Sequence, residues 1–317
     1  MLAPRGVTAD EGASLSETTY VEVEPDVKIC VERWPAASPD APTVLALHGF
    51  SSMRLVFADL AEAFGGEVEV IAVDCRGRGG STGPDDPSRY GMRRHADDAA
   101  AVLRSLGRRD VVLVGTSMGA WISTQVAAHH ADLTRAVVLV DGGYMSLLPS
   151  GTDPVEHVNT ILLGGLDRMD TVLPSVDLVV ATMRNTPGLS DIWDANFEAS
   201  VRENFEPTEG GVRGRLRQFA AIADARSYND PVADPYLRRD IALISCPVHL
   251  ITAPFGLPID AQTFSPPIMP AAAVAELRDA LPQLTVEEAP GANHFTVCMG
   301  PLSNSFVVEA TRKFLKS

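Results

Sequence analysis

Four stretches of this 317-residue chain are apolar almost without interruption: "TVLALHG" (43–49), "EVIAVD" (69–74), "DVVLVGT" (110–116) and "AVVLVDG" (136–142). A run of this kind marks a strand that buries both its faces, because a half-exposed strand would alternate apolar with polar. The segments between them have helical spacing. "MRLVFADLAEAFGG", "MRRHADDAAAVLRSLG" (92–107, closing on Gly107) and residues 118–130 each carry apolar positions three and four apart. Strands alternating with helices predict a mostly parallel central sheet covered by helices on both faces, an α/β fold. Upstream, "TTYVEVEPDVKICVERW" (18–34) alternates polar and apolar on either side of "EPD" and predicts a β-hairpin.

The rhythm stops after Asp141. From 143 to 235 helical stretches such as "VEHVNTILLGGL", "SVDLVVATMRN" and "GRLRQFAAIADA" follow one another without a strand–helix unit. It resumes with "CPVHLITA" (246–253), the helix "AAAVAELRDAL" (271–281), the strand "LTVEEAP" (284–290) and a last helix around 302–315. The organisation expected is a loose polar leader (1–17), a core domain built from 18–142 and 236–317, and a helical insertion (143–235). A chain that leaves and re-enters one layered domain puts its insertion over the carboxyl edge of the sheet, where open α/β sheets bind ligands. That is the position of a cap.

The formal net charge is −15. It argues against partners that need a basic face, nucleic acid and anionic membrane alike. Cys30, Cys75, Cys246 and Cys298 are scattered without paired spacing, so neither a zinc site nor a disulfide framework is expected. No segment approaches the ~20 apolar residues that span a bilayer, and the start has no basic-then-apolar signal. A cytoplasmic protein, monomer or homodimer, is the expectation.

Candidate chemistry enters at "GTSMG" (115–119). A G-x-S-x-G motif between a strand and a helix holds a serine, here Ser117, on a sharp corner with its hydroxyl above the sheet. The glycines avoid clashes in the reversal. The backbone N–H of Met118 opens the helix and faces the same side. A serine hydroxyl is a weak nucleophile and needs a histidine to take its proton and a carboxylate to fix that histidine. Of seven histidines, His294 in "PGANHFTV" follows the last predicted strand and has small neighbours that let a loop carry it back over the sheet. No spacing of histidines, cysteines and carboxylates suggests a metal site.

With these motifs the chain resembles the α/β-hydrolases over nearly all of 18–317. "LALHGF" is similar to the family's strand followed by His-Gly, so the resemblance implies an oxyanion hole made by the N–H groups of Phe50 and Met118. His294 matches the family's late G-x-x-H loop and would be the base. "DCRGRGGSTGP" (74–84) resembles the family's Asp-x-Arg-Gly-x-Gly-x-Ser turn, and the lack of a helix directly after it argues against a dinucleotide fingerprint. For the acid two candidates stand. Asp141 ends the strand after the nucleophile helix and faces the same edge as Ser117, an arrangement that some lactonases and dehalogenases of the family resemble. Asp260, in "LITAPFGLPID", comes several residues later than the family's commoner acid.

The resemblance implies a serine hydrolase needing no cofactor and no metal, acting through an acyl-enzyme on a small-molecule hydrophobic ester or lactone. A polyketide macrolactone is one substrate of that class. Serine at the corner disfavours the relatives that use an aspartate nucleophile. Cleavage of a carbon–carbon bond beside a carbonyl, or ligand binding without turnover, remain as alternatives. Met145, Leu147, Leu148, Trp193 and Phe197 of the insertion are candidates for the roof of the pocket, or else for the insertion's own core.

Overall fold

The computed structural model describes residues 16–146, 151–229 and 237–316. Eight strands form one sheet in the order β1-β2-β4-β3-β5-β6-β9-β10. They are β1 (Glu17–Glu24), β2 (Val27–Trp34), β3 (Thr43–Leu47), β4 (Glu69–Val73), β5 (Val111–Thr116), β6 (Thr134–Val140), β9 (Val248–Thr252) and β10 (Leu284–Glu288). The β1–β2 hairpin and the β2–β4 pair are antiparallel. Every pairing from β4 onward is parallel.

Burial follows the pattern of the sequence. All residues of β3, β4 and β5 are buried, and their side chains divide by parity between the two faces. Leu45, Leu47, Ile71 and Leu113 join a core with α2 (Met92–Ser105) and α3 (Met118–His129). Val44, Ala46, Val70, Val112 and Val114 join the opposite core with α1 (Ala58–Phe64) and α11 (Gly300–Leu315). A strand between two helical layers has no wet face, which is why its polar positions vanish. Only the last two residues of the leader expected at 1–17 are described, and Glu17 already pairs with Arg33 in the hairpin.

Between β6 and β9 the chain runs through α4 (Pro154–Ile161), α5 (Val176–Arg184), α6 (Ala195–Glu203), a short hairpin of β7 (Phe205–Thr208) and β8 (Gly211–Gly214), α7 (Gln218–Asn229) and α8 (Leu237–Ile241). Side-chain caps start α4, α5 and α6. Asp153 accepts from Val155 N, Ser175 from Leu178 N and Asp194 from Phe197 N. The hairpin is the element that the helical spacing did not announce. Its strands are four residues long, too short for an alternation to register. No described helix is long and apolar enough to cross a membrane.

Candidate active site

Ser117 sits between β5 and α3 with φ 52° and ψ −119°. A non-glycine residue in this region is strained and persists only where its surroundings over-determine it. Here the Ser117 N–H donates to Val140 O at 2.9 Å, and Ser117 O accepts from Ala120 N at 2.9 Å. The two glycines of the motif permit the close approach. A Cβ on Gly115 would lie 2.2 Å from Gly119 O, and one on Gly119 only 1.9 Å from Leu47 O.

Two side chains from distant parts of the chain complete a hydrogen-bonded series. His294 Nε2 lies 3.1 Å from Ser117 Oγ, and His294 Nδ1 lies 2.7 Å from Asp141 Oδ2. Asp141 follows β6 directly, is fully buried and has φ 45°. Its N–H donates to Ile251 O at 2.8 Å, and its second carboxylate oxygen accepts from Ala253 N at 3.3 Å. His294 opens a short helix, α10 (His294–Cys298), whose N-cap is Asn293. The Asn293 side chain accepts from Phe295 N and Thr296 N while its own N–H donates to Thr296 Oγ1. The His294 N–H donates to Gly256 O at 3.1 Å. Burial lowers the affinity of the imidazole for a proton. The Cys298 sulfur, 3.9 Å from Nδ1, and the Asp141 carboxylate more than offset this, so the ring's pKa is raised above the ordinary histidine value.

Of the two carboxylates open as partners of His294, only Asp141 is in reach. Asp260 is exposed and turned to its own loop, where it accepts from the backbone N–H groups of Gln262 and Thr263 at 2.8 Å each. Those bonds hold its carboxyl below the usual range, as expected of a loop cap. The late acid is therefore corrected. The loop after β9 contributes the carbonyl of Gly256 and the amide of Ala253 instead.

The loop after β3 is fixed by His48. This residue is fully buried, and burial lowers its pKa to about 3. Its Nε2 accepts from Cys75 N at 3.1 Å, which leaves the proton on Nδ1 to be donated to Gly49 O at 2.7 Å. The trans peptide joining Gly49 to Phe50 directs the Phe50 N–H away from His48. Met118 N stands at the first residue of α3, where helical N–H groups have no intrahelical acceptor.

A cavity of about 230 Å³ opens over Ser117. Gly49, Phe50, Thr116 and His294 border it at the sheet edge. Val158, Ile161, Leu162 and Met169 wall it from the segment after β6, and Phe295 and Met299 from the loop that carries His294. Met145 lines the cavity. Leu147 and Leu148 lie outside the described residues. Trp193 and Phe197 do not line it, which corrects the reading of both as roof. Their rings meet edge to face with centroids 5.2 Å apart, in a separate cluster with Val179, Val180, Ile192 and Val201. Phe295 and Met299 pack against that cluster and also face the cavity, so it lies one layer behind the wall. Sequence reading passed over Val158, Ile161 and Leu162, although "VEHVNTILLGGL" carried the apolar spacing that could have raised them. Among the described residues, no group of three or more histidines, cysteines and carboxylates could hold a metal ion.

A family model described as the alpha/beta hydrolase family matches residues 44–303. The chain is 28% identical over 261 residues, 82% of it, to a 2-(acetamidomethylene)succinate hydrolase of Mesorhizobium japonicum, of which the match covers 84%. Among solved structures, an E-2-(acetamidomethylene)succinate hydrolase superposes with a TM-score of 0.73 at 23% identity, over 96% of this chain and all of that one. A thioesterase domain from the curacin biosynthetic pathway superposes at 0.71 and 18% identity, over 96% and 100%.

Proposed function

The chain belongs to the alpha/beta hydrolase family, and from that premise we propose that it is a serine hydrolase of neutral, hydrophobic carboxylic esters or lactones. The observation that carries the reading is the series Ser117 Oγ, His294 Nε2, His294 Nδ1, Asp141 Oδ2, with spacings of 3.1 and 2.7 Å, at the floor of an apolar cavity.

Ser117 Oγ attacks the acyl carbon while His294 Nε2 takes its proton. Asp141 holds the ring with Nδ1–H toward its carboxylate and stabilises the imidazolium that forms. The carbonyl oxygen, now negative, accepts from the N–H groups of Phe50 and Met118. Each such donor is worth about 3 kcal/mol of barrier. His294 then returns the proton to the leaving alkoxide, and water enters through the same base to release the acid and free Ser117.

The walls support the choice of substrate. Among the described residues lining the cavity there is no lysine, arginine, aspartate or glutamate. A carboxylate such as the succinate in the relative's name would lie there without a counter-charge, which is costly in an apolar site. The volume of about 230 Å³ is below the ~300–1,000 Å³ usual for drug-sized ligands, so a compact acyl group fits better than a macrolactone. Residues 143–235 act in this reading as a cap over the site.

The test is hydrolysis of p-nitrophenyl esters from acetate to decanoate, with a fluorophosphonate as covalent probe. The expected outcome is labelling of Ser117, saturable turnover best with short to medium chains, and loss of both in Ser117→Ala. An intact wild-type protein that neither turns over nor takes the label would leave it as a binder that does no chemistry.

A further inference from the structure

Arg78 lies in the Gly-rich turn after β4, is fully buried, and takes no part in the proton transfers of the mechanism above. It nonetheless touches both residues assigned as oxyanion donors. Its Nε donates to Phe50 O at 2.8 Å and its guanidinium lies 5.4 Å from the centre of the Phe50 ring. One terminal nitrogen, Nη2, is 3.5 Å from Met118 Sδ and 2.7 Å from Asp224 Oδ2.

Asp224 belongs to α7, in the segment between β6 and β9, and is itself fully buried. Its Oδ1 accepts from Gly91 N at 2.8 Å and lies 2.9 Å from His95 Nε2. Burial would raise this carboxyl, but His95 and Arg78 outweigh it and hold it at about 2, so the Arg78 pair is ionic throughout the neutral range. One turn on, Ser227 Oγ accepts from Met92 N at 3.1 Å. The carboxylate that anchors Arg78 is thus held to the N-terminus of α2 from one side and carried by α7 from the other.

The geometry has a consequence for catalysis. The Phe50 N–H shares a peptide plane with Gly49 C=O, which His48 grips. The Phe50 C=O belongs to the next plane, which Arg78 grips. With both planes held, the two backbone torsions of Phe50 are restrained, and so is the direction of its N–H. An arginine suits this task because its planar fork reaches two acceptors in fixed directions, as an ammonium cannot.

We propose that Arg78, anchored by Asp224, is a positioning residue that holds the Phe50 amide as an oxyanion donor, making α7 part of the oxyanion machinery. The inference rests on the serine-hydrolase reading. It adds that the segment over the site stabilises the transition state from behind, in addition to enclosing the substrate.

The test uses the full-length protein and three variants: Arg78→Lys, Asp224→Asn, and the double change Arg78→Met with Asp224→Leu. The double variant removes both ions of the Arg78–Asp224 pair together and so avoids the lone buried charge that removing one partner would leave, although Gly91 N and His95 Nε2 lose an acceptor in it. Sites titrated to completion with fluorophosphonate give the competent fraction, and rates with p-nitrophenyl butyrate are expressed per titrated site. A misplaced donor lowers kcat about 10–100-fold, less than the ~100–1,000-fold of a deleted one, while KM stays within about threefold. Affinity for an alkyl trifluoromethyl ketone, which builds the tetrahedral oxyanion on Ser117, falls in parallel, whereas affinity for butyrate does not. Arg78→Lys recovers part of the loss. If kcat per titrated site and ketone affinity match the wild type in the double variant, Arg78 and Asp224 only support the fold, and the proposal is overturned while the hydrolase reading stands. A wild-type protein inert to ester, ketone and phosphonate overturns both.

Discussion

The carboxyl edge of the sheet and the segment between β6 and β9 hold their side chains by different means. At the edge, backbone bonds do the holding. Ser117 N donates to Val140 O, Asp141 N to Ile251 O and His294 N to Gly256 O, so each side chain leaves a peptide already clamped by a neighbouring strand or loop. In the segment after β6, packing does the holding, and it divides the segment in two. Val158, Leu166, Leu216, Ala220 and Ala225 merge with the main core beside α2 and α3. Val179, Ile192, Phe197 and Val201 close on themselves. The first part walls the cavity, and the second braces that wall through Phe295 and Met299. An apolar residue in an insertion is therefore no guide to substrate until its packing partners are known.

The sharpest way to break this comparison is at the edge. Ser117→Ala is expected to lower ester turnover by at least about 10⁴-fold with the thermal melt unchanged, since it removes the proposed nucleophile and only one oxygen. Steady-state rates and a melting curve decide it. Asp141→Asn should cost about 10³–10⁴-fold in kcat, because the amide favours the wrong histidine tautomer. Asp260→Asn, losing only an exposed loop cap, should stay within about twofold. Equal effects at the two positions would refute the assignment of the acid.

Within the segment the comparison sharpens into stability against affinity. Phe197→Ala empties part of the self-contained core and should cost about 3 kcal/mol of stability in urea unfolding, with KM near wild type at temperatures where it stays folded. Ile161→Ala removes a cavity wall that is only half-buried. Its expected effect is the reverse, a KM raised about three- to tenfold for a medium-chain ester, from about 1 kcal/mol of lost apolar contact, and little change in unfolding. If Phe197→Ala altered chain-length preference while Ile161→Ala did not, the two layers would have been assigned the wrong way round.

The smallest effect expected is on pH. A base acts only unprotonated, so kcat/KM falls as pH drops through the pKa of His294. That pKa is raised despite burial, by Cys298 and Asp141, so the acid limb should have its midpoint above the ~6.5 of an unperturbed histidine. Cys298→Ser and Asp141→Asn should each move it down, and a limb at or below 6.5 in the wild type would contradict the raised affinity.

Much of the edge was legible in the chain because the signals are local. "GTSMG" states its own geometry, since only glycine fits 2.2 Å from a carbonyl oxygen at 115 or 1.9 Å from one at 119. Asp141 was legible as the last residue of an apolar run. Asp260 drew attention as a late acid because a loop after β9 has no periodicity to say which way its carboxylate turns. Arg78 and Asp224 went unremarked, although each carried a signal: a second arginine inside a glycine turn, and one aspartate on the apolar face of "FAAIADA". A charge in such a place implies a partner but does not name it.

By itself the sequence determined the mostly parallel sheet and the serine on its corner at the carboxyl edge, because burial period and glycine sterics are short-range properties. The tertiary structure alone decided which acid reaches His294, which apolar side chains face the cavity and which face each other, and that Asp224 grips Arg78 from 146 residues further along. Those choices depend on the direction in which a side chain leaves its backbone relative to a distant surface. A pattern along one chain carries period but not that direction.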